Sequence, residues 1–100
     1  MLEARPQARS EIREAFQWYE SERAGLGDEF LAELQSFFDR VEGQPRLYGR
    51  VYRNYRGACL RRFSYIVLYR DHGPDAVVHA VLHSSRSRKT WRDRLRDADG

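Results

Sequence analysis

A chain of 100 residues supports one modest core, and its 41% hydrophobic and 13% aromatic content marks a globular rather than a disordered protein. The formal net charge of +3 hides a split: residues 1–42 carry 5 arginines against 10 acids, whereas residues 43–100 carry 13 basic residues against 5 acids. No apolar run reaches the roughly 20 residues that span a bilayer, and Met1 to Pro6 has no signal-like apolar stretch, so a cytoplasmic protein without membrane contact is expected.

The first elements are helical. Met1 to Arg5 suits at most a brief edge strand, and Pro6 suits the first turn of a helix. Ala8, Ile12, Ala15, Phe16 and Tyr19 then recur at helical spacing with charges between them. Gly25-Leu26-Gly27 breaks this helix, and Asp28 is the expected N-cap of the next. Phe30, Leu34, Phe37, Phe38 and Val41 form its apolar stripe, which Gly43-Gln44-Pro45 ends. So short a break predicts an antiparallel helical hairpin.

After Pro45 the period changes. Tyr48 to Tyr55 is rich in β-formers, with a turn expected at Asn54-Tyr55-Arg56-Gly57. Three further strands are predicted over Ala58–Phe63, Tyr65–Arg70 and Ala76–His83, the last two joined by a turn at His72-Gly73-Pro74-Asp75. Short connections favour antiparallel pairing. Strict alternation places Val77, His79, Val81 and His83 on one face of the last strand and Val78, Ala80 and Leu82 on the other. Ser87 is the expected cap of a short final helix through Leu95, with Asp97 to Gly100 frayed. The predicted fold is α+β, one domain over residues 1–100. A helical hairpin packs on one face of a small antiparallel sheet and buries Phe16, Tyr19, Phe30, Leu34, Phe37, Phe38, Ile66, Leu68, Val78, Ala80 and Leu82.

Charge and chemistry concentrate in the second half. Between Gly43 and Arg70 there are 7 arginines and no acid, a landing surface for an acidic partner or a polyanion. The lone Cys59 can form no intrachain disulfide and reads as a small buried hydrophobe. His79 and His83, four residues apart on one strand, stand about 13 Å from each other, too far to share a metal ion. No metal, cofactor or small-molecule ligand is expected. Arg86, after the last strand, is the leading candidate for a functional side chain. Arg61, Arg62, Arg86 and Trp91 are the candidate partner- or target-binding residues. Arg62, His83 and Arg86 are the candidates for catalysis, histidine because it titrates near neutrality.

The order of elements and residues resembles the RelE/ParE superfamily of bacterial type II toxins over nearly the whole chain. The residues that carry it are Trp18-Tyr19, Gly25-Leu26-Gly27 with Phe30, Pro45 with Tyr48, Arg62-Phe63-Ser64-Tyr65-Ile66-Val67-Leu68-Tyr69, Ala80-Val81-Leu82-His83, Arg86 and Trp91. The resemblance implies a small basic toxin of a plasmid-stabilising, growth-inhibiting pair, neutralised by a cognate antitoxin whose segment wraps around it. It implies one of two targets: DNA gyrase, inhibited by ParE-like members, or the ribosome and its mRNA, cut by RelE-like members. A member inert but for antitoxin binding is a third reading. RNA cleavage through the 2′-hydroxyl needs a base, an acid and cations around the phosphate. By the resemblance, Arg86 matches a nuclease arginine and Arg61 or Arg62 stands near a strand lysine. Ile66 and Trp91 stand where a second arginine and a tyrosine belong. The expectation is therefore inhibition of a protein target such as gyrase, with ribosome-dependent mRNA cleavage as the alternative.

Overall fold

The computed structural model describes residues 3–73 and 75–99. Met1 and Leu2 of the expected edge strand, Pro74 of the expected turn and Gly100 of the expected tail lie outside them. Pro6 occupies the first turn of α1 (Pro6–Glu22), where its missing N–H costs nothing and its fixed φ suits the helix. A tight corner leads into α2 (Leu26–Gly43). Gly25, at φ 88°, takes the N-cap position instead of Asp28. The missing side-chain cap is replaced from the other helix: the Glu20 carboxylate accepts the N–H groups of Gly25 (3.0 Å) and Gly27 (2.9 Å). A Cβ on Gly27 would stand 2.7 Å from the Phe16 ring, so this corner requires glycine twice. Asp28 and Glu29 instead fall in the first turn, where acids complement the helix dipole.

The sheet has the order β1-β5-β4-β3-β2. Its strands are β1 (Glu3–Ala4), β2 (Arg50–Tyr52), β3 (Tyr55–Cys59), β4 (Tyr65–His72) and β5 (Asp75–His83). Pairing is antiparallel except for β1, which lies parallel to the start of β5, so the sheet is mixed. The first hairpin turns at Arg53-Asn54, earlier than expected, with Arg53 at φ 50°. Tyr55 explains the shift. It is fully buried, and its hydroxyl donates to the Leu95 carbonyl (3.4 Å), so it belongs inside a strand. At the other end β3 stops at Cys59, which is exposed rather than buried because it lies where the strand runs out into a loop.

Helices cover both faces of the sheet. Beyond Ser87, whose Oγ accepts the Thr90 N–H (3.1 Å) as expected of a cap, α3 (Arg88–Asp99) continues through residues predicted to fray. The hairpin α1–α2 packs Phe30, Leu34, Phe37 and Val41 against Val67, Tyr69, Val78 and Val81. On the opposite face Trp91 and Leu95 of α3 pack against Tyr55, Leu68, Ala80 and Leu82, with Ile66 partly buried beside them. Thus Ile66, Leu68, Ala80 and Leu82 face α3 and not the hairpin, and Phe16, Tyr19 and Phe38 are only half-buried. A β-bulge is the cause of the broken alternation. Leu68 pairs with Ala80 and Tyr69 with Val78, so His79 is the extra residue, and Val78 joins Val81 on the hairpin side.

Candidate functional site

At the far end of the β4–β5 ladder, where Tyr65 pairs with His83, the loop after Cys59 meets the loop after His83. The Ser84 N–H donates to the Ser64 carbonyl (2.7 Å) and joins the two. Here α1 and β5 leave a cavity of about 300 Å³, walled by Glu14 and Trp18 on one side and by Tyr65, His83 and Arg86 on the other. Trp18 is 56% exposed at its rim. Arg86 is exposed and makes no ion pair among the described residues.

His83 is held by the turn that follows it. The Ser85 N–H donates to Nδ1 (3.1 Å), and the Ser85 hydroxyl lies 2.7 Å from the same nitrogen. A backbone N–H can only donate, so Nδ1 accepts and the proton of the neutral ring sits on Nε2. The ring packs edge-on against Tyr65, centroids 5.3 Å apart. Burial pushes the Tyr65 phenol above its ordinary range, Tyr19 adds to this, and Arg86 pulls less strongly the other way. Tyr65 is therefore a hydrogen-bond donor at neutral pH.

Glu11 closes the inner end of the cavity. Its carboxylate accepts the Val81 N–H (3.1 Å) and the Arg94 Nη2 (3.4 Å), and Arg94 also donates to the His79 carbonyl (2.8 Å). The bulge thus receives a side-chain patch from α1 and α3. Burial pushes the Glu11 carboxyl up, against the pull of Val81 and Arg94. His79 itself is buried edge-on against Tyr55, 5.1 Å between centroids, away from the cavity.

Of the residues singled out in the sequence, His83 and Arg86 come together in this cavity. Arg61 and Arg62 do not join them. Their backbone N–H groups donate to Glu33 of α2, and the Arg62 guanidinium binds Glu29 (2.6 Å) while lying 5.3 Å from the centre of the Phe63 ring. Trp91 is 8% exposed, inside the cluster under α3. Sequence reasoning missed Glu14, Trp18 and Tyr65 as cavity walls. The signal was present: Trp18 falls off the apolar stripe of α1, and Glu14 lies one turn before it on the same side. Among the described residues no three His, Cys, Asp or Glu side chains gather to hold a metal ion, and no helix is long and apolar enough to cross a membrane.

A helical hairpin on a five-stranded mixed sheet, closed by a short C-terminal helix, defines a small α+β fold. A chain of the solved chromosomal ParDE TA system from P. aeruginosa shares this fold with a TM-score of 0.60 at 15% sequence identity, covering 82% of this chain and 92% of that one. The sequence model described as the ParE toxin of type II toxin–antitoxin system, parDE, matches residues 2–88, and the chain belongs to that family. No curated protein sequence matches it.

Proposed function

We propose that this chain is the toxin of a type II pair, held inactive in the cytoplasm by its cognate antitoxin, and that when free it arrests growth by binding a protein target, DNA gyrase, without cutting RNA. The observation that carries the reading is the apolar surface under α3. Ile66 and Trp91 occupy the positions where the family resemblance calls for a nuclease cation and a proton-transfer group, and both pack with Leu68, Leu82 and Leu95. Neither side chain can stabilise a phosphorane or move a proton there. Arg86, with Trp18 and His83 around the cavity, is the proposed target contact, as an amphipathic aromatic beside an unpaired guanidinium suits a protein hot spot. Induced expression tests this: messenger RNA stays intact while the DNA-damage response rises.

One arrangement favours the second reading, ribosome-dependent RNA cleavage. Glu14, Tyr65, His83 and Arg86 surround a single cavity and together include carboxylate, phenol, imidazole and guanidinium. Under that reading mRNA is cut at codon-spaced positions, and His83→Ala slows the cuts by about 10²–10⁴-fold.

A further inference from the structure

On the face of the sheet away from the hairpin, α3 turns Trp91 and Leu95 inward. Arg88, Arg92 and Arg96 recur every four residues along the same helix, and all three are exposed. Arg96 shares Asp93 with Lys89, at 3.0 and 2.8 Å. Arg88 and Arg92 form no ion pair among the described residues, and neither does Arg50 on β2. Arg92 ties the two elements together: its guanidinium lies 5.8 Å from the centre of the Tyr52 ring on β2 and 5.7 Å from that of Trp91. Arg50, two residues before Tyr52, carries the charge onto the strand, and no acid occurs between Gly43 and Arg70 to offset it. The large apolar side chains exposed among the described residues, Trp18, Leu31 and Leu47, belong to α1, α2 and the loop before β2. This face therefore offers fixed positive charge without an apolar anchor.

We propose that the face made by Arg88 and Arg92 of α3 with Arg50 of β2 binds the phosphate backbone of duplex DNA. The gyrase reading above supplies only the place where that DNA is met: gyrase holds a duplex, and a chain bound to the enzyme through Arg86 and Trp18 makes this second contact with it. Protein partners are gripped through aromatic and apolar anchors, which this face lacks, whereas a polyanion is held by charge. An arginine stacked on aromatic rings is held in place and keeps its N–H edge for a phosphate. Arg88 and Arg92 stand about 6 Å apart along the helix axis, four residues at about 1.5 Å each. Phosphates of one DNA strand advance about 3.4 Å per step, so the pair spans about two steps. A rigid row of charges meets a stiff duplex without the ordering cost that a flexible single strand would add. Arginines alone do not mark the site: Arg9 and Arg13 of α1 are also exposed, but they alternate with Glu11 and Glu14.

The test measures binding of the purified chain to a short labelled duplex of arbitrary sequence, by fluorescence anisotropy over a range of salt. Binding should be indifferent to sequence and fall steeply with salt. Arg50→Glu/Arg88→Glu removes two exposed charges, and an acid in the first turn of α3 suits the helix dipole, so the fold should stand, as thermal unfolding checks. This variant should bind at least about tenfold more weakly, with a salt slope shallower by about 1 to 2. Arg9→Glu/Arg13→Glu makes the same change in net charge on α1 and should lose less than about twofold, because screening confines a charge to about 10 Å at 0.1 M salt. In gyrase supercoiling the Arg50→Glu/Arg88→Glu chain should need at least about tenfold more protein for half inhibition, while its binding to gyrase without DNA is unchanged. Wild-type DNA binding by that variant, or an equal loss in the α1 control, overturns the site. Tighter binding to single-stranded RNA of the same length overturns the choice of partner. A chain that inhibits gyrase but binds no duplex overturns this face and leaves the gyrase reading standing. A chain that binds the duplex through these arginines but never inhibits gyrase overturns that reading and leaves the face.

Discussion

Arg86 and Trp91 show how residue type and residue role separate. Both stand in the basic C-terminal part of the chain and both are candidate contacts in the sequence, Trp91 with the alternative that it covers one edge of the core. The structure leaves Arg86 exposed at a cavity and draws Trp91 into the apolar cluster with Leu95. Trp91 thus takes the second of its two readings despite the arginines around it, because in a helix only the residues three and four positions away share a face. Leu95, four positions on, carried the signal. Arg86→Ala is expected to abolish growth inhibition while shifting stability by no more than about 0.5 kcal/mol, since an exposed charge contributes little to folding. Growth curves beside thermal unfolding check this, and a large loss of stability would remove Arg86 from the target surface. Arg62 is expected to act through structure instead. Its bond to Glu29, with a second from Arg23, holds the Glu29 carboxyl below its ordinary range.

At the scale of elements, the helical hairpin was legible almost residue by residue because helix periodicity and glycine breaks are local. The sheet was less so. The bulge at His79 and the early turn at Arg53-Asn54 follow from long-range packing of Ala80 and Tyr55 against α3, which no local pattern reports. The burial of a second face was missed for the same reason: among the described residues α3 contributes Trp91 and Leu95 to its cluster, too few to register as an apolar stripe. Trp91→Ala should therefore destabilise the protein by about 3–5 kcal/mol, and any loss of toxicity should track unfolding in a calorimeter. Unaltered stability with lost toxicity would restore Trp91 as a contact.

The β3–β4 ladder carries a pH dependence of known sign. Desolvation pushes the Asp71 carboxyl up, but hydrogen bonds from its own backbone N–H, from Arg56 and from Arg46 outweigh it, so it lies below its ordinary 3.8. A carboxyl depressed on folding adds stability above its unfolded value and loses it as pH falls through the folded one. Glu11 has the opposite sign. Raised above 4.5, it favours folding below that value, and this share fades as pH rises through its folded value. Asp71→Asn should lower stability at neutral pH and flatten the acid limb of thermal unfolding followed from about pH 7 down to about pH 2. An acid limb as steep as that of the wild type would assign the dependence to other carboxylates.

Across the whole molecule the charge split of the sequence becomes a division between the helical hairpin and the sheet with α3. Part of that opposition is used internally, where Arg62 meets Glu29 and Arg94 meets Glu11. Other cations of that half face solvent, among them Arg50, Arg61, Arg86, Arg88 and Arg92. Family membership was legible in the joint order of short motifs spread over both halves, and the fold followed from it. The candidate site was only half legible, because its cavity is made by α1 meeting the end of β5 across most of the chain's length. The central claim is that this site binds a protein target and does not cut RNA. Its most direct test is supercoiling by purified DNA gyrase titrated with the purified chain. Inhibition saturating near equimolar chain and relieved by Arg86→Ala is the predicted result; undiminished supercoiling, with the same preparation cutting mRNA in the ribosomal A site, would contradict it.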